Sequence, residues 1–66
     1  MTTKEKLQLF IENGVSLKTI ASFSSYHYTT LSKWLAGKQN ISPRAEEAVE
    51  KGMNDFVEKA AGRGNP

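Results

Sequence analysis

The groups in this 66-residue chain that could do chemistry are hydroxyls, one histidine and a set of basic side chains. Ser24, Ser25 and Ser32 carry potential nucleophiles, but His27 is the one histidine and no carboxylate is spaced to orient it, so no triad assembles. With no cysteine and a single histidine, no thiolate or imidazole set for zinc exists either. No enzymatic activity, no cofactor and no metal are expected, and one histidine by itself is a weak basis for a pH switch. What remains is charge. Lys18, Lys33, Lys38 and Arg44 gather between positions 17 and 44, whereas Glu46, Glu47, Glu50, Asp55 and Glu58 follow in one segment. A net charge of +2, nine Lys and Arg against seven Asp and Glu, is too small to identify a nucleic-acid partner by its size. The uneven placement favours a polyanion on one side of the molecule only.

Helices must position these residues, because the apolar residues recur at three- and four-residue spacing and no strand alternation appears. Thr2 and Glu5 form a capping box, Leu7, Phe10 and Ile11 give the first helix its buried stripe, and Asn13-Gly14 ends it, with Val15 closing over the end. Ser16 is the N-cap of a second helix running to about Phe23, whose inner face carries Ile20 and the small Ala21. Ser24 and Ser25 supply turn chemistry. A third helix from about Tyr26 to Ala36 presents Leu31, Trp34 and Leu35, and stops at Gly37 before the polar Lys38-Gln39-Asn40. Trp34 is assigned to the core. Ser42-Pro43 then starts a last helix with Ala45, Ala48, Val49, Met53, Phe56, Val57 and Ala60 on one stripe. Gly52 interrupts that stripe at a cost of up to about 1 kcal/mol relative to alanine, so a break there is the alternative to one long helix. The expectation is an all-α, compact bundle of four helices, or five with the break, over residues 1–61. Residues 62–66 have nothing apolar to dock and are expected to be a disordered tail.

Leu17, Ile20, Ala21, Tyr26, Leu31, Trp34, Leu35 and Gly37 together describe two short helices joined by a tight turn. In this order and spacing the chain resembles the Cro/cI (Xre) family of phage-type helix-turn-helix domains over roughly residues 3 to 60. The resemblance implies a lambda-repressor-like bundle. It departs from the family at Ser25, where glycine is usual and a left-handed backbone costs a residue with a Cβ about 1 kcal/mol or more, and at His27, a poorer N-cap than is common. A distorted turn is the expectation.

The resemblance further implies a sequence-specific, double-stranded DNA-binding transcriptional regulator whose 26–36 helix enters a major groove. On a helical wheel Thr29, Ser32, Lys33 and Ala36 lie opposite Leu31, Trp34 and Leu35, with Tyr28 on the flank. By the resemblance, Tyr28, Thr29, Ser32 and Lys33 read bases, Lys33 donating to guanine O6 and N7, Thr29 using its hydroxyl or its methyl, and Ser32 donating or accepting through its hydroxyl. Ser16, Lys18, Thr19, Lys38, Gln39, Asn40 and Arg44 would hold the phosphate backbone. Such regulators act as homodimers on DNA, on half-sites about one helical turn apart, and repress by covering a promoter. The rival reading is a protein-interaction module, a phage or plasmid antagonist or an antitoxin-like adaptor, binding its partner through Met53, Phe56 and Val57. In either reading the same three residues serve self-association or a protein partner. No apolar run is long enough to span a bilayer and the N-terminal segment is charged, so no membrane partner is expected; the absence of cysteine suits a reducing cytoplasm.

Overall fold

Caps written in the sequence set the start of the helices. In the computed structural model, which describes residues 1–62, four helices follow one another: α1 (Thr3–Glu12), α2 (Leu17–Ser24), α3 (Tyr28–Leu35) and α4 (Pro43–Gly62). The α1 capping box is formed: Thr2 Oγ1 accepts from the Glu5 amide at 3.1 Å while Glu5 Oε1 accepts from the Thr2 amide at 2.9 Å. Ser16 Oγ accepts from the Lys18 amide at the head of α2, and Ser42 Oγ accepts from the Ala45 amide one residue before Pro43 opens α4. Pro43 suits the first helical position because its missing N–H would have had no partner there.

The third helix begins two residues later than its sequence pattern suggests and ends one residue sooner. His27 is its N-cap, as the family resemblance implies, and it makes no side-chain bond to the helix amides. Ser24 also moves: it is the last residue of α2 and is buried, leaving Ser25, Tyr26 and His27 as the turn. Residues 63–66, most of the tail expected to be disordered, lie outside the described residues, and Gly62 is the final residue of α4.

Leu7, Ile20, Leu31, Val49 and Met53 are fully buried, and Ala21, Trp34 and Ala45 nearly so. Burying each of the larger side chains contributes about 1.5–3 kcal/mol, which in a bundle this small makes every one of them count. One of them overturns an expectation. Met53 is core, closed off by the helices packed on α4, and cannot present itself to a partner.

α4 is continuous through Gly52, so the bundle has four helices and not five. The glycine is buried against α2: a Cβ built on it would overlap Ser24 Oγ and stand 3.1 Å from the Ser24 amide nitrogen and 3.2 Å from the Phe23 carbonyl carbon. Ser24 in turn donates to the Ile20 carbonyl at 2.7 Å, which satisfies its buried hydroxyl within its own helix. The local propensity cost of Gly52 is therefore outweighed by close approach of two backbones. α1 closes the other side of α4 through Phe10, whose ring lies 6.2 Å from that of Phe56, and through Glu50, which accepts from Lys6 Nζ and from Thr3 Oγ1.

Gly52→Ala tests the close approach by its sign. An exposed helical glycine replaced by alanine gains up to about 1 kcal/mol, whereas forcing a methyl into a packed contact loses about 1–3 kcal/mol. Urea unfolding should show a lower midpoint for the variant; a higher one would mean that α2 and α4 can separate at no cost.

Glu50 links stability to pH. The hydrogen bond from Lys6 holds its carboxyl below the ordinary glutamate range, with the Thr3 hydroxyl adding and partial burial opposing. A carboxyl depressed in the folded state stabilises fully above its unfolded value, about 4.3, and loses that contribution as pH falls from there through the folded value. Lys6 and Glu50 side chains are 30% and 37% exposed, so screening limits the effect to below about 1 kcal/mol. Glu50→Gln should flatten the acid limb of a stability profile relative to wild type, and an unchanged limb would rule the link out.

Candidate nucleic-acid interface

Three helices end in the same way. A residue with positive φ follows the helix, and the amide after it donates back five residues: Val15 to the Phe10 carbonyl at 3.0 Å, Tyr26 to Ala21 at 3.2 Å and Lys38 to Lys33 at 2.9 Å. Gly14 (φ 94°) and Gly37 (φ 77°) adopt that backbone freely, while at the α2 end the same position is Ser25, at φ 62° and ψ 29°. The expected distortion of the turn is absent. Ser25 takes the left-handed conformation that a glycine would take, and the strain is carried by the anchoring of Tyr26, which packs on the core.

The turn and the Leu31–Trp34 stripe fix how α3 sits. With Leu31 fully buried and Trp34 5% exposed, the opposite arc must face outward. Thr29, Lys33 and Ala36 are exposed and Ser32 is half-buried. Tyr28, the first residue of α3, is 45% exposed, and the Lys18 ammonium lies 5.5 Å from the centre of its ring. This contact, a cation over an aromatic face, joins the first turn of α2 to the first turn of α3. Neither helix has an acidic residue in its first turn, and His27 makes no side-chain bond to the α3 amides.

The remaining residues proposed for backbone contacts divide into two groups. Ser16 and Lys18 are exposed at the head of α2 and Thr19 is half-buried beside them. Lys38, Gln39 and Asn40 are exposed in the loop at the other end of α3, about 12 Å away along an eight-residue helix, and Arg44 is exposed in the first turn of α4. The two groups thus flank the outward arc of α3. Among the described residues the ion pairs are Lys6 with Glu50 and Lys51 with Asp55, so Lys18, Lys33, Lys38 and Arg44 are outside them. Glu46, Glu47 and Glu50 line a shallow groove with Thr3, Pro43 and Asn54 along α1 and α4.

Of the residues assigned to association, Met53 is buried, Phe56 half-buried and Val57 47% exposed. Phe56 stands edge-on to Phe23, ring centres 5.9 Å apart, and the two line an apolar groove with Lys59 and Ala60. Leu9, 46% exposed, was not anticipated. Leu9 and Val57 each lie three residues further along their helices than Lys6 and Asn54, which are hydrogen-bonded across α1 and α4. The Lys18 to Tyr28 contact was equally unanticipated, since nothing in sequence spacing joins positions ten apart.

Ser25→Gly should stabilise the domain by about 0.5–1 kcal/mol, the relief of left-handed strain being partly offset by the greater freedom of glycine in the unfolded chain. Thermal unfolding would read this as a higher melting temperature. A lower one would mean that the serine side chain itself holds the turn.

No protein-family model, no curated protein and no solved structure matches this chain.

Proposed function

We propose that this chain is a sequence-specific regulator that binds double-stranded DNA, with α3 in the major groove. The observation that carries the reading is the division of α3 into two arcs: Leu31 and Trp34 are locked in the core, while Thr29, Ser32 and Lys33 make no side-chain hydrogen bond or ion pair among the described residues and Tyr28, 45% exposed on the flank, is touched by the Lys18 ammonium. Lysine and hydroxyl side chains on such an arc match the acceptors and methyl groups of base edges. Basic and amide side chains at both ends, Lys18 on one side and Lys38, Gln39, Asn40 and Arg44 on the other, suit the two phosphate walls of a groove. A groove about 12 Å wide admits one helix.

One short helix reads few bases, so the protein acts as a two-fold pair of copies on two half-sites, in the cytoplasm, and represses by occupying DNA that a polymerase needs. The seam of Leu9, Phe56 and Val57 is the apolar surface left for the second copy. That seam also supports the second reading, an adaptor that binds another regulator and not DNA; exposure of Val57 and Leu9 is the observation in its favour.

Binding to a pool of random duplexes, selected over several rounds and measured at two salt concentrations, distinguishes the readings. A regulator enriches one sequence and loses affinity as salt rises, by about one log-log unit per phosphate contact. Against the enriched site Lys33→Ala should weaken binding by about 1–3 kcal/mol and relax preference at one base pair. Lys38→Ala should weaken enriched and random DNA alike and lower the salt slope by about one. An adaptor would show no enrichment and no salt-dependent binding at all.

A further inference from the structure

Asn13-Gly14 is the one asparagine-glycine pair in the chain, and the fold uses it to close α1. We propose that Asn13 is a site of spontaneous deamidation that the closed end of α1 holds off, and whose product undoes that closure. The chemistry is intramolecular. Base removes the proton of the Gly14 N–H, the nitrogen attacks Asn13 Cγ to form a C–N bond, and the Cγ–Nδ2 bond breaks as Nδ2 takes up a proton from the protonated base or water and departs as ammonia. Water then opens the five-membered imide at either carbonyl, giving aspartate or the isoaspartyl isomer. Glycine is the follower that least obstructs the attack, having no Cβ, and both residues are exposed to water and base.

The structure fastens both reacting groups to the last turn of α1. Gly14 N–H, the nucleophile, donates to the Ile11 carbonyl at 3.0 Å, and the Asn13 carboxamide donates to the Leu9 carbonyl at 2.8 Å. The Asn13 amide donates to Leu9 and Phe10, and Val15 anchors the exit by donating to Phe10. Attack requires both groups to be released together, so the reaction runs through opening of this turn.

Neither product restores the closure. The aspartate side chain has no N–H to replace the carboxamide bond to the Leu9 carbonyl, and it sets a negative charge at the carbonyl end of the α1 dipole. The isoaspartyl form adds a carbon to the backbone where Gly14 already stands at φ 94°, moving Val15 out of register with Phe10. Either lesion loosens the end of α1 that places Phe10 against Phe56. The new charge also lies three residues before Ser16, at the head of α2.

Peptide mapping by mass spectrometry, on the full chain kept in mildly alkaline buffer either folded or in urea, tests this without any DNA. Conversion at Asn13 should be the dominant event in the unfolded chain, ahead of Asn40 and Asn54, which precede Ile41 and Asp55. Folding should slow it about tenfold or more, the factor set by the opening equilibrium. Equal rates in the two states, or no conversion at Asn13 in urea, would overturn the proposal. Asn13→Asp, made directly, should lower the melting temperature, and an unchanged one would show that the product leaves the closure intact.

Discussion

Two backbones in near contact, α2 at Phe23 and Ser24 and α4 at Gly52, are the constraint on which the remaining structure depends. Side chains on facing helices usually keep their axes 8–10 Å apart, and removing the Cβ at the crossing lets them come closer. Ile20, Ala21, Val49 and Met53 meet because of that approach, and they bury the inner surfaces of α2 and α4 completely or nearly so. With α2 fixed, the turn at Ser25 fixes α3, and with α4 fixed, Phe56 and Glu50 fix α1. A wider crossing would leave an apolar void that a domain of this size has little stability to absorb.

Much of this was legible in the residues. The capping box of Thr2 and Glu5, the Ser16 and Ser42 caps, the Gly14 and Gly37 stops and the Leu31–Trp34 stripe are local signals, each acting within a few residues, and each is found where its spacing puts it. Gly52 was legible only as a flaw, because propensity scales describe a helix alone and the reason for this glycine lies on another helix. Ala45, Ala48 and Gly52, small residues at three- and four-residue intervals, were the available signal of close packing. Met53 went astray for the opposite reason: a stripe of apolar residues gives a direction but not the point at which the covering helices end. They end between Met53 and Val57.

The outward arc of α3 was legible because it is the complement of a core stripe, and the wheel that assigns Leu31 and Trp34 inward leaves Thr29 and Lys33 nowhere else to face. Contacts between elements were not legible. The Lys18 ammonium over Tyr28 and the tilted Phe10–Phe56 rings depend on how helices are placed, not on what each contains. The separation of charge along the sequence does survive folding. Glu46, Glu47 and Glu50 share a groove beside α1, and the α1–α4 side uses Lys6 and Lys51 in ion pairs, so the cations of α2, α3 and the following loop are not drawn into it.

The ties between α1 and α4 have a kinetic meaning. Thr3 and Lys6 reach Glu50 across 47 and 44 residues of a 66-residue chain, whereas the turn between α2 and α3 is made by neighbours. Loop-closure entropy grows only slowly with length, so these distant contacts subtract little from equilibrium stability. Their effect falls on rate, since contacts far apart in sequence must wait for a search that near ones avoid. The helix pair that carries the outward arc rests on near contacts, whereas the packing of α1 and α2 on α4 has to wait for the chain to bring distant segments together.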